Sequence, residues 1–188
     1  MERRIFRVCR ARHARLDGEG ARRAGGRWNS PGRAVVYMAE SIALAVLENL
    51  VHMSRKDFPS GYVCVAAVLP LDITVVRESE LRLLRDLRDI SSQPLGDWWI
   101  RARESAVLQV PSAVVPSECN YLLNPEHAEF ARIRVDPPAL FHFDERLFPP
   151  EPPSPSLPLG AMNPSGLRKV PQPGPDFPIP RLFDPSPS

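Results

Sequence analysis

The 188-residue sequence predicts an α+β domain, and three observations predict it. Many short β-branched and aromatic runs recur along the chain. Only a few segments carry helical periodicity, and they do not alternate regularly with the strands. One run, YVCVAAVL at 62–69, is apolar almost throughout, the mark of a strand buried on both faces.

The elements follow in order. Residues 5–8 (IFRV) alternate and read as a first strand. Residues 11–26 hold Gly18, Gly20, Gly25, Gly26 and a cluster of arginines, and read as a loop. Ser30-Pro31-Gly32 makes a turn. Residues 34–38 (AVVYM) are a strand, and Ser41 then caps a helix to about Met53 with no internal Gly or Pro. After the buried strand, 73–76 reads as another strand. Residues 80–87 form a helix with Leu81, Leu84 and Leu87 inside and Arg82, Arg85 and Arg88 outside. Residues 96–105 form a further helix. Strand-like runs follow at 106–110, 113–115, 120–123, 131–135 and 140–143.

Residues 1–148 form the domain on this reading. Of 23 prolines, 14 lie in 149–188. Proline lacks an amide donor and resists both helix and central strand, and this stretch has little apolar material to bury. It reads as an extended, polyproline-II-like tail outside the folded domain, expected to be dispensable for whatever that domain does.

Composition excludes several classes. Hydrophobic residues make up 43%, enough for a core, and 24 Lys+Arg against 22 Asp+Glu leave a formal charge of +2. That is not the basic excess of an obligate nucleic-acid binder, so no direct DNA binding is expected. No apolar run is long enough to span a membrane. The charged start, Met1-Glu2-Arg3-Arg4, lacks a signal-peptide core. Cys9, Cys64 and Cys119 are scattered, without a CxxC pair, and the four histidines lie far apart, so no metal site and no Cys–His pair stands out. The expectation is a cytoplasmic protein without a metal. Charge is nonetheless uneven: residues 1–33 carry ten arginines against Glu2, Asp17 and Glu19.

Three stretches carry possible chemistry. GGRWNSPG at 25–32 lets a backbone approach a ligand closely, beside an arginine built for bidentate phosphate recognition; alone it also reads as a plain turn. Tyr37 closes a strand, where a ring can be presented in a cleft, and the helix after it is apolar almost all round except for Glu48. That carboxylate is either at a solvated edge or held for a purpose, because burying an unpaired charge is costly. Finally, VPSAVVP at 110–116 brackets Ser112 between prolines, which also fits a kinked sheet edge.

Together the three stretches resemble the RES-domain toxins of bacterial toxin–antitoxin pairs. GGRWNSPGRAVVYMAESIALAVLE at 25–48 and VPSAVVPSECNYLLNP at 110–125 follow that family's pattern in order, spacing and flanking residues. The resemblance implies a fold like that of diphtheria-type ADP-ribosyltransferases, two small sheets forming an NAD cleft with flanking helices. It implies a toxin that consumes NAD+ as a substrate, with no retained cofactor, by cleaving the nicotinamide–ribose bond through hydrolysis or phosphorolysis, and so depletes the cell's NAD+ and arrests growth. Modification of a macromolecule by ADP-ribose is the alternative, and a non-enzymatic binding module a second. By the same resemblance Arg27 binds phosphate or ribose, Tyr37 stacks on nicotinamide, Glu48 stabilises the cationic ribose, and Ser112 orients nicotinamide or Arg27. Asn29 and Asn120 are supporting contacts. An Xre-type helix-turn-helix antitoxin is the implied partner. No Rossmann GxGxxG is present, in keeping with NAD+ as substrate and not hydride carrier.

Overall fold

Two long strands organise the domain. In this computed structural model, residues 2–53 and 60–148 are described, and the Pro-rich segment read as a tail lies outside them. Strand β1 (Arg3–Arg10) pairs antiparallel with the apolar strand β3 (Tyr62–Leu69) over its whole length, from Arg3↔Leu69 to Arg10↔Tyr62. Seven of the eight residues of β3 are buried, as its composition predicts. On the other edge of β3 sit the short strands β7 (Arg134–Val135) and β8 (Ala139–Phe141).

The second half of the sheet is β4 (Val75–Arg77), β5 (Val107–Pro111), β6 (Cys119–Leu123) and β2 (Val36–Ala39). Only the β4–β5 pair is parallel. The halves meet through β1 and β2, which share a single register pair, Phe6↔Ala39. Hydrogen bonding therefore runs through one eight-stranded sheet where the resemblance implies two small ones. The narrow junction explains both descriptions: β1 and β2 touch once and part, and a cleft opens between them.

Alternate residues of β5 and β6 fill two cores. Val107, Tyr121 and Leu123 join Ile5, Val36, Met38 and Leu69 on one face. Leu108, Val110 and Leu122 pack on the other face with Trp28 and with Leu81 of α3 (Glu78–Leu84). Leu95, Trp99 and Ile100 of α4 (Ser92–Ala102) complete that layer. Trp99 is fully buried, and its indole N–H is satisfied by Ser105 Oγ at 2.9 Å.

Several expectations need correction. The 11–26 stretch is not all loop: a 3-10 turn at Ala11–His13 precedes helix α1 (Glu19–Ala24). Glu19 pairs with Arg22 and Arg23 one turn on, and Gly18 and Gly25 take left-handed φ of 70° and 71° at its two ends. Gly18 and Gly25, read as loop, are thus the helix's boundaries, and Gly20 lies within it. Helix α2 (Ile42–Leu50) starts at Ser41, whose Oγ accepts from Leu44 N at 3.0 Å, but ends three residues earlier than expected, in turns. Helix α4 starts earlier than its glycine suggested, because Pro94 lies in the first turn, where the missing N–H costs nothing. No strand forms at 113–115: Ser112 Oγ accepts from the N–H groups of Val114 and Val115, both at 3.0 Å, and curls the chain. The 131–135 run begins as the end of a 3-10 turn, Ala128–Arg132, and only its last two residues pair as β7. Among the described residues, no helix is long and apolar enough to cross a membrane.

Candidate active site

The cleft where β1 and β2 part contains two adjoining cavities. The smaller, about 270 Å³, is lined by Phe6–Cys9 of β1, Tyr37–Ala39 of β2, Ala45, Glu48, Asn49 and His52 from α2 and the turn after it, and Asn120 of β6. The larger, about 730 Å³, shares Arg7, Cys9, Tyr37 and Asn49 with it and continues under α1. That volume lies within the range of small-molecule sites, about 300–1,000 Å³.

Glu48 belongs to the site. The helix that carries it buries Leu44 and Ala45 against Val8 and Ala39, which turns Glu48 toward the end of β6. Its Oε1 accepts from Ser112 Oγ at 2.8 Å and from Asn120 Nδ2 at 2.6 Å. The two donors come from a sequence distance of 64 and 72 residues, so the sheet assembles the cluster. Ser112 is 4% exposed, and its oxygen is held by two backbone N–H groups, which leaves its proton for Glu48. The residue that Ser112 Oγ donates to is therefore Glu48, where the resemblance implies nicotinamide or Arg27. Glu48 Oε2 has no hydrogen-bond partner among the described residues.

Tyr37 lines both cavities, and its hydroxyl is fixed by the 25–32 loop. It donates to Asn29 Oδ1 at 2.8 Å and accepts from Trp28 N at 3.0 Å. Burial, with a contribution from the Asp97 carboxylate, pushes its phenol up to about 12. The neutral form is the one the fold favours, so its contribution to stability is complete below pH 10 and lost as pH rises through 12. An ultraviolet titration should show one tyrosine ionising near pH 12, absent in Tyr37→Phe; ionisation of that residue near pH 10 would contradict the geometry.

Asn29 is fully buried, and its amide ties the loop to its flanks: Nδ2 donates to the carbonyls of Ala21 in α1, Ser30 and Arg33. It reaches the cleft only through Tyr37. Gly26 allows this contact, since a Cβ there would stand 2.6 Å from Tyr37 Oη. Helix α4 clamps the same loop from outside. Asp97 accepts from Ser30 N at 2.8 Å and Ser30 Oγ at 2.6 Å, and Gln93 donates to the carbonyls of Gly26 and Asn29.

Arg27 stands apart from this arrangement. It occupies the two-residue turn between Gly26 and Asn29, exposed, and lines neither cavity. It makes no hydrogen bond or ion pair among the described residues. The arginines of the larger cavity are Arg7, Arg10, Arg12, Arg15 and Arg23, against Asp17 and Glu19. Glu19 is already engaged by Arg22 and Arg23, which hold its carboxyl down at about 2. The walls are thus net positive, suited to phosphate. Sequence reasoning missed Arg7, Arg10, Arg12 and Arg15, because they sit in the stretch read as loop and in a strand, where an arginine's direction is invisible. It also missed Asn49, His52, Gln93 and Asp97. The only available signal was the polar pair Glu48-Asn49 interrupting an apolar helix.

No group of three or more His, Cys, Asp or Glu among the described residues is placed to hold a metal. Cys9 and His13 both line the larger cavity, but Cys9 Sγ donates to the His13 carbonyl at 3.5 Å, and burial pushes its thiol up. That is not an activated nucleophile.

The α+β sheet is split by a cleft that carries a doubly held carboxylate in one cavity and a cluster of arginines in the other. Residues 4–144 match the RES domain, and the chain belongs to that family. It is 33% identical over 156 residues to a Toxin Res of Yersinia enterocolitica, covering 76% of this chain and 98% of that protein. A Toxin Res of Pseudomonas putida is 36% identical over 140 residues, covering 72% and 94%. The Prs ADP-ribosylating toxin of Sphingobium sp. is 34% identical over 138 residues, covering 70% and 86%. Among solved structures, the M. tuberculosis MbcT-MbcA toxin-antitoxin complex contains a chain of the same fold. Its TM-score is 0.56 at 17% identity, covering 76% of this chain and 85% of that one.

Proposed function

We propose that this RES-family protein is a toxin that consumes NAD+ by breaking the bond between nicotinamide N1 and ribose C1′. The observation that carries the reading is Glu48, one oxygen pinned by Ser112 and Asn120 and the other unengaged beside the cleft. When the C1′–N1 bond breaks, its electron pair leaves with nicotinamide, and C1′ becomes cationic. A carboxylate fixed beside the sugar stabilises that charge without reorganising. Water then adds at C1′ and releases a proton to solvent. Tyr37 offers its ring face to nicotinamide. The pyrophosphate goes to the arginine-lined cavity, where Arg7 is the arginine that also borders the carboxylate's cavity. Arg7→Ala is expected to raise KM for NAD+ more than Arg27→Ala, since Arg7 alone of the two lines the cavities. The reverse order would place the phosphate at the loop.

A second reading, transfer of ADP-ribose to a protein, is favoured by the name of the Sphingobium relative. Following free nicotinamide from NAD+ alone, and then with cell lysate, separates the two. Turnover without a macromolecule supports hydrolysis; turnover only with lysate supports transfer.

The partner we propose is an Xre-type antitoxin whose acidic segment enters the cleft. The fold neighbour was solved in a toxin-antitoxin complex, and the cavity walls are positive. Such an inhibitor competes with NAD+, and its binding weakens several-fold as salt rises. Inhibition that no NAD+ concentration relieves would contradict this mode.

A further inference from the structure

We infer that Asn49 touches the substrate, as a fixed hydrogen-bond acceptor for a hydroxyl of the nicotinamide ribose; the inference rests on the NAD+-cleaving reading above. Asn49 follows Glu48 on α2 and lines both cavities. A primary amide has two donor hydrogens and one acceptor oxygen. Both hydrogens of Asn49 are spent: Nδ2 donates to the Val8 carbonyl at 2.8 Å and to the Ala45 carbonyl at 2.7 Å. This fixes the side chain. Turning it over would set Oδ1 against two carbonyl oxygens and lose both bonds.

Oδ1 itself has no partner among the described residues. None of their buried side-chain polar atoms lacks one, so Oδ1 is open to solvent, on the residue that borders both cavities. The cleft thus meets an acceptor that cannot become a donor. Phosphate oxygens are acceptors too and are repelled by it. The donors near the breaking bond are the ribose hydroxyls and the carboxamide NH2 of nicotinamide. Position chooses between them. Asn49 stands between the carboxylate cavity and the arginine cavity, and in the dinucleotide the ribose is the unit between base and pyrophosphate. One hydroxyl then faces Glu48 and the other Asn49. As C1′ gains positive charge, both hydroxyls become better donors, so the contact strengthens in the transition state.

The test compares kcat/KM for NAD+ with that for two analogues lacking the 2′- or the 3′-hydroxyl of the nicotinamide ribose. It is run in wild type, Asn49→Ala and Asn49→Asp. Each rate is taken relative to that compound's uncatalysed cleavage, because losing an electron-withdrawing hydroxyl itself eases formation of the cation; on that scale wild type is expected to lose about tenfold or more on each analogue, the size of a polar partner left unpaired. Asn49→Ala should lose a similar factor on NAD+ and little further on one analogue, because residue and hydroxyl belong to one contact. Asn49→Asp keeps the acceptor and gives up the donors, so it should melt at lower temperature and still discriminate. A purely structural role, fastening α2 to β1, would lower all three substrates by one factor in Asn49→Ala and leave the ratios untouched; that result overturns the inference, as does loss of discrimination in Asn49→Asp. Wild type that cleaves all three substrates equally overturns the inference alone. Wild type that cleaves none overturns the reading of the reaction, and the inference with it.

Discussion

Glu48→Gln is expected to cut nicotinamide release from NAD+ by at least about a hundredfold while the protein stays folded. The change keeps shape and removes charge. Ser112 and Asn120 donate to a glutamine carbonyl as they do to the carboxylate, so the cluster survives. What is lost, on the proposed reaction, is the negative charge that faces the cationic ribose, an effect of about 3 kcal/mol for a preorganised contact. Ser112→Ala acts one step back, by loosening Glu48, and is expected to cost less. Melting curves show whether fold is intact, and product release reports the chemistry. A Gln variant with near-normal turnover would remove Glu48 from its role.

Gly96→Ala is expected to damage the fold more than any loss of a surface contact. Gly96 lies in α4 directly against the 25–32 loop, and a Cβ there would stand 1.9 Å from the Trp28 carbonyl oxygen and 2.8 Å from its carbon. No side chain can rotate to relieve a backbone clash. Helix and loop must separate, which breaks the Asp97 and Gln93 contacts and frees Tyr37 from its two partners. The cost is expected at the upper end of overpacking, about 3 kcal/mol, or a Tm lower by about 10 °C. Activity should fall with it. A variant that melts like wild type would show that α4 does not seat on the loop.

Much of this arrangement was legible in the sequence where local chemistry decides it. The apolar run of β3 predicted its burial on both sides, and Ser41 predicted the start of α2 through its cap. Glu48 stood out because a charge in an apolar helix needs a reason, although the helix alone left open whether that reason was solvent. What decided it came from β6 and the Ser112 turn, more than sixty residues away. The same distance hid the clamp. Gln93, Gly96 and Asp97 look like an ordinary helix start until the loop is laid against them. Ala113, Val114 and Val115 favour a strand by propensity, and the Ser112 hydroxyl overrides it by capturing two N–H groups. Phosphate binding was assigned to Arg27 by its motif, whereas the arginines in the cavity come from β1 and the segment after it.

The central claim is that this cleft breaks the nicotinamide–ribose bond with Glu48. Its most direct test is nicotinamide release from NAD+ by the purified full chain, wild type beside Glu48→Gln, with and without lysate. Catalytic release by wild type and a loss of at least about a hundredfold in the variant is the expected result. No release by folded wild type under either condition, or equal release by both proteins, would contradict it.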